Sequence, residues 1–151
     1  MTIQFNIFQK SREIVFNRIE NLTPEQLHKI PEGFNNNIIW NVAHLVVTQQ
    51  LLHYKFSNLD CLIPDELITN YKKGTAPKET LSNEEIAEIK DLLMGLPATL
   101  EEDYAAGIFQ NYTTYKTSAG FELTNINEAI AFNNMHEAMH IGIIMSLTKV
   151  V

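Results

Sequence analysis

Ile126-Asn127-Glu128-Ala129-Ile130-Ala131-Phe132-Asn133-Asn134-Met135-His136-Glu137-Ala138-Met139-His140, continued by Ile141-Gly142-Ile143-Ile144, carries two patterns at once. Ile126, Ala129, Ile130, Ile143, Ile144 and Leu147 recur at the spacing of a helix that turns one face to a core. Asn133, His136, Glu137 and His140 interrupt that same face. Polar side chains placed in hydrocarbon without partners cost on the order of a few kcal/mol each, so something must satisfy them. His136 and His140 are four positions apart, about 40° around a helix axis, and therefore aim at one small volume. That is the arrangement of two metal ligands on one helix.

Upstream, Phe5, Phe8, Val15, Phe16 and Ile19 form the apolar stripe of a first helix over about residues 3–20. Thr23-Pro24-Glu25-Gln26 joins a capping threonine, a proline at the first helical position and a glutamine three residues on, predicting a short helix that stops near Pro31. Asn36 or Asn37 caps a second long helix reaching about Ser57. Its residues Ile38, Ile39, Trp40, Val42, Ala43, Leu45, Val46, Val47, Leu51 and Leu52 are apolar nearly all round. A bundle core needs one face of each helix, so this girth predicts wide burial and a homodimer contact. Ser82-Asn83-Glu84-Glu85 is a capping box opening a third long helix that carries Ile86, Ile89, Leu92, Leu93, Leu96 and Leu100, with Pro97 expected to kink or interrupt it. Residues 58–81 read as a loop with a short helix after Pro64, and residues 107–123 as an irregular excursion or weak hairpin. A fourth long helix starts at Thr124 or Asn125. The expected fold is all-α, a four-helix bundle forming one domain over residues 1–151.

The net charge of -7, with Lys and Arg scattered, disfavours nucleic acid as a partner. Residues 1–6 lack the basic start and apolar run of a secretory signal, and the longest apolar runs are broken by Asn41, Thr48 and Gln49, so a cytoplasmic protein that spans no membrane is expected. The single cysteine, Cys61, excludes an internal disulfide and a thiolate cluster. Any metal must rest on histidines and carboxylates.

On the second long helix His44 shares a face with Trp40, Asn41, Val47 and Leu51 and is expected to point inward. His53, nine positions on, falls on the opposite side and is expected to be exposed; His28, beside Glu25, is expected to be solvated. One histidine on an apolar face is ordinarily a hydrogen-bonded core residue. A pair one turn apart, with a third inward histidine on another long helix, favours a divalent metal. The His-Glu-x-x-His match also suggests a zinc peptidase. After His140, however, only eleven residues remain, none of them Asp or Glu, and Ile143 and Ser146 stand where a second peptidase class needs Gly and His.

Trp40-Asn41-Val42-Ala43-His44-Leu45, together with His136-Glu137-Ala138-Met139-His140-Ile141-Gly142, closely resembles the DinB-like (DinB/YfiT) superfamily of four-helix metalloproteins, over almost the whole chain. The resemblance implies His44, His136 and His140 as ligands of a divalent ion and an up-down-down-up bundle, often dimeric. Many relatives follow the glycine with Gln or another polar residue, where this chain has Ile143-Ile144-Met145.

Three neutral imidazoles leave coordination positions free, as catalytic rather than structural sites do. Zn or Ni suits this donor set best, with Mn or Fe also compatible. One expectation is hydrolysis by activated water, with Glu137 as proton acceptor if it turns into the pocket; otherwise Glu137 is a solvated shoulder residue. The other, implied by the resemblance and favoured, is a thiol-dependent S-transferase acting on a small-molecule electrophile with a low-molecular-weight thiol. A non-catalytic metal-binding bundle is the rival from another class. Asn133 and Trp40 are expected to support the ligands from behind.

Overall fold

The computed structural model describes residues 1–78 and 80–151. Helix α1 spans Thr2–Ile19 and turns Phe5, Phe8, Val15 and Ile19 inward. The short α2, Pro24–His28, starts at the expected capping box, in which Thr23 Oγ1 accepts from the Gln26 amide at 3.3 Å and Gln26 Oε1 accepts from the Thr23 amide at 3.0 Å. Asn37 caps α3, Ile38–His53, its Oδ1 accepting from the Trp40 amide at 2.9 Å. A 3-10 turn at Lys55–Ser57 and helix α4, Asp65–Tyr71, lie in the connection to α5, Asn83–Ala105, which opens with the Ser82/Glu85 capping box. The excursion before the last helix is a minimal hairpin: β1, Tyr115–Lys116, pairs antiparallel with β2, Glu122–Leu123. Gly120, at φ +87, supplies the left-handed residue in its turn. Helix α6, Ile126–Leu147, is capped by Asn125.

The structure is thus mainly helical, with four long helices. Helices α1 and α3 each pack against both α5 and α6. Every residue of α3 except Thr48 and Leu51 is buried, because α1, α5, α6, the short helices and the hairpin leave it almost no open side. The apolar girth that suggested a partner subunit is therefore covered within the chain. Fully buried side chains such as Leu45, Leu93, Leu100, Ile130 and Ile144 each contribute roughly 1.5–3 kcal/mol by leaving water.

Pro97 does not interrupt α5, which runs through it. A proline lacks the amide that would bond the carbonyl four residues back, here that of Leu93. Arg12, fully buried on α1, supplies part of that need: its Nη1 donates to Leu93 O at 3.5 Å. Its Nη2 donates to Leu45 O at 3.0 Å and to Gln49 Oε1 at 3.5 Å. The charge is met by Glu137, also fully buried, whose Oε1 and Oε2 accept from Nη2 at 2.7 Å and Nε at 3.0 Å. Gln49 completes the network by donating to Leu96 O at 3.1 Å. One guanidinium thus joins all four long helices at the centre of the molecule.

Two sequence expectations fail here for the same kind of reason, a neighbouring element covering the side of the helix that was expected to face water. His53 is fully buried rather than exposed, edge-on to Phe8, and neither ring nitrogen makes a well-formed hydrogen bond, the Ala129 backbone offering only a weak one. His28 is half-buried rather than solvated: its Nδ1 bonds Pro24 O at 2.7 Å and its Nε2 accepts from the Leu81 amide at 2.9 Å, pinning α2 to the lead-in of α5.

Candidate metal centre

Two crossing helices build this site. His136 and His140 project from successive turns of α6, their ring centroids 4.5 Å apart, and His44 on α3 faces both at 5.2 and 4.9 Å. One ring nitrogen from each lies within 4.8 Å of those of the other two. A tetrahedral ion at about 2.0–2.1 Å from each nitrogen would hold them at about 3.4 Å, so small side-chain rotations complete the fit. Among the described residues no Cys, Asp, Glu or further His joins this group.

Hydrogen bonds behind the rings fix which nitrogen is free. His44 Nδ1 lies 2.7 Å from the Tyr71 carbonyl at the end of α4, an acceptor only, so Nδ1 carries the proton and donates. His140 Nδ1 lies 2.8 Å from Asn41 Oδ1 and donates to it. Asn41 is held in turn, its Nδ2 donating to Asn37 O at 2.7 Å and Asn36 Oδ1 at 3.0 Å. In both rings Nε2 is left as the lone-pair donor toward the shared volume, the tautomer that ligating histidines adopt. The Thr48 hydroxyl, 3.3 Å from His44 Nε2, shares that volume. His136 Nδ1 is buried without a hydrogen-bond partner. A largely buried cluster of three imidazoles, two of them held in metal-ready tautomers, fits a divalent cation.

Burial favours the uncharged ring in all three histidines. It lowers the affinity of His44 for protons; in His136, burial and then the facing imidazoles take the pKa to about 3, and in His140 burial and then His44 take it to about 4. At neutral pH all three rings keep their lone pairs. Buried His53 is likewise held at about 3, first by desolvation.

These shifts predict an acid instability. The unfolded chain binds protons on these histidines near pH 6.5 and the folded chain does not, so their stabilisation is complete above about pH 6.5 and is lost as pH falls from there toward the folded values, at about 1.4 kcal/mol per pH unit for each such ring. Urea melts of chelator-treated protein should have a midpoint that is flat between pH 7 and 8 and falls from pH 6.5 to 4.5. In His53→Leu the fall should be shallower by one proton. A midpoint independent of pH down to 4.5 would contradict the burial described here.

Trp40 lies against His44. Its ring stacks on His44 at 4.8 Å with planes 9° apart, and its Nε1 donates to Thr75 Oγ1 at 3.2 Å, so the indole braces the imidazole from one side. Asn133 is buried one turn before His136, yet neither amide atom makes a well-formed hydrogen bond; its nearness to Glu137 slightly favours that carboxylate. Glu137 is not a solvated shoulder residue. Both its oxygens are turned to Arg12, away from any role as proton acceptor in the pocket. Burial raises its proton affinity, and the Arg12 charge and hydrogen bonds oppose that rise.

Asn41, Tyr71 and Arg12 are the participants that the sequence did not assign. Asn41 and Arg12 each left a signal, a polar side chain on an apolar helical stripe. Tyr71 acts through its backbone carbonyl, for which side-chain identity carries no information. Among the described residues, no helix is long and apolar enough to cross a membrane. Comparison with curated proteins gives no significant match. Helical architecture, histidine spacing and the convergence of the three rings agree with a family model that matches residues 7–144: the chain belongs to the DinB superfamily.

Proposed function

We propose that this protein is a metal-dependent enzyme of the up-down-down-up bundle type, one domain over residues 1–151, that transfers a low-molecular-weight thiol to a small electrophile. The topology reading rests on cross-helix contacts. Gln4 meets Asn134 and Arg12 meets Glu137, running α1 along α6, while His44 meets His140 and Leu52 packs with Ala129, running α3 against α6. Phe5 meets Tyr104 and Arg12 meets Leu93, running α1 against α5.

The observation that carries the functional reading is the three-histidine set with no fourth protein ligand among the described residues. Structural zinc sites close their coordination with four protein ligands, whereas catalytic sites keep a position for substrate. A divalent ion held there, Zn or Ni by the donor set, supplies Lewis acidity that favours thiolate over thiol. His44 and His140 are oriented for that task by Tyr71 and Asn41, and Trp40 keeps water from one face of His44. In the reaction the thiol proton passes to solvent, a sulfur–carbon bond forms, and the leaving group departs with its electron pair. The hydrolytic reading assigns Glu137 as its proton acceptor. Glu137, the carboxylate adjacent to the ligands in sequence, is engaged by Arg12, and this favours the thiol reading.

Metal-loaded protein is expected to turn over a chlorodinitrobenzene-type electrophile with at least one member of a panel of small thiols, releasing chloride in equal amount, and to lose that turnover in His44→Ala. Metal-loaded protein inactive with every thiol, but cleaving an activated ester or amide, would replace this reading with the hydrolytic one.

A further inference from the structure

The seam between α3 and α6 continues beyond the histidines. On α3, residues 44, 48 and 52 share one stripe; on α6, residues 140, 136 and 132 share the facing one. His44 lies against His136 and His140, and Leu52 packs in a cluster with Ala129, Phe132, Phe56 and Tyr115. Thr48 therefore falls between the histidine end and the aromatic end. It is one of two α3 residues that are not buried, so the seam is partly exposed there, with the Thr48 hydroxyl 3.3 Å from His44 Nε2.

The aromatic end is unusual in its exposure. Phe132, one turn from His136, is only half-buried, and Phe121 from the hairpin lies against it with ring centroids 5.8 Å apart and planes at 55°. Phe121 is itself 50% exposed. Tyr115 and Tyr112 of the excursion are half-buried but engaged, Tyr115 stacking on Phe56 at 4.4 Å and Tyr112 donating to Leu52 O at 3.0 Å, whereas Phe121 leaves half of its surface open. The hairpin is anchored by Leu123, which is buried against α3 and α6, so Phe121 is held in place on a fixed support.

We propose that Phe121 and Phe132 form a subsite for an aromatic ring or similarly flat apolar group of the substrate, with Thr48 at the floor between it and the three histidines. This rests on the open-site reading above and adds its substrate class: electrophiles carrying an aryl group, as opposed to small aliphatic ones. A flat ring laid on the exposed face of Phe121 or the edge of Phe132 gains contact that a methyl group in the same place does not.

The test uses Co(II)-loaded protein and two metal-directed probes that differ only in this group, benzohydroxamate and acetohydroxamate, with binding read from the visible cobalt bands. Wild type should favour the aryl probe, and Phe121→Ala should cut that preference about five- to tenfold while leaving acetohydroxamate affinity and cobalt content unchanged. Phe132→Leu, which keeps an apolar side chain in the cluster, should act in the same direction. A preference unchanged in both variants overturns the subsite. Cobalt bands that respond to neither probe in wild type overturn the open site itself, and the subsite with it.

Discussion

Arg12→Ala is expected to lower the free energy of unfolding by about 3–5 kcal/mol, because it leaves the Glu137 carboxylate at full burial without its counter-charge. The loss extends beyond one ion pair. Leu93 O, already short of an amide because of Pro97, and Gln49 Oε1 both lose a donor. Glu137→Ala should cost a similar amount, since it strands the guanidinium. The informative measurement is a double-mutant cycle by urea denaturation: Arg12→Met combined with Glu137→Leu removes both charges while keeping volume, and should recover most of the stability lost by either single change. Lys10→Ala, which breaks the exposed Lys10–Glu13 pair on the same helix, should leave stability unchanged. A double variant as unstable as the sum of the singles would show that the network holds the helices together through hydrogen bonds to the backbone more than through charge.

His136→Ala and His140→Ala should each abolish stoichiometric metal binding, whereas His53→Ala, more deeply buried than either and on the same helix as His44, should leave the metal content at about one ion per chain while lowering stability. The Asn41 support makes this more specific. Asn41→Ala retains all three ligands but releases the Nδ1 proton of His140, and loss of such an orienting partner ordinarily weakens binding about 10–100-fold. Asn41→Asp should preserve the acceptor and with it most of the affinity. Competition titration against a chromophoric chelator separates these cases. Equal losses in His53→Ala and His136→Ala would remove the distinction between ligand and core histidine on which the site rests.

Much of the fold was legible because its signals are local. The boxes at Thr23 and Ser82 and the caps at Asn37 and Asn125 act within one turn, and the structure places helix starts there. The convergence of the three histidines was legible because polar residues interrupted otherwise apolar faces. The same rule, applied to α1, would have found Arg12, which lies on the stripe of Phe8, Val15 and Ile19. Its partner was misjudged for a related reason: a glutamate beside a metal ligand suggests chemistry, and only the position of a residue 125 places earlier in the chain reveals a structural pairing. His53 and His28 were misread because helical phase tells which side a residue faces, but not whether another element covers that side. Pro97 shows the converse, a local disruption absorbed by a distant side chain.

The placement of the polar network has a consequence for how the protein is made. Synthesis runs from the N-terminus, so Arg12 and His44 leave the ribosome well before α6, which contributes Glu137 and two of the three histidines. Until that last long helix arrives, the nascent chain has a guanidinium that cannot be buried without its carboxylate and one histidine of the candidate site out of three. Premature collapse around α1, α3 and α5 is thereby disfavoured. Completion of α6 closes the core and brings the three histidines together in the same event, so chains that stop short of it are left open to proteolysis.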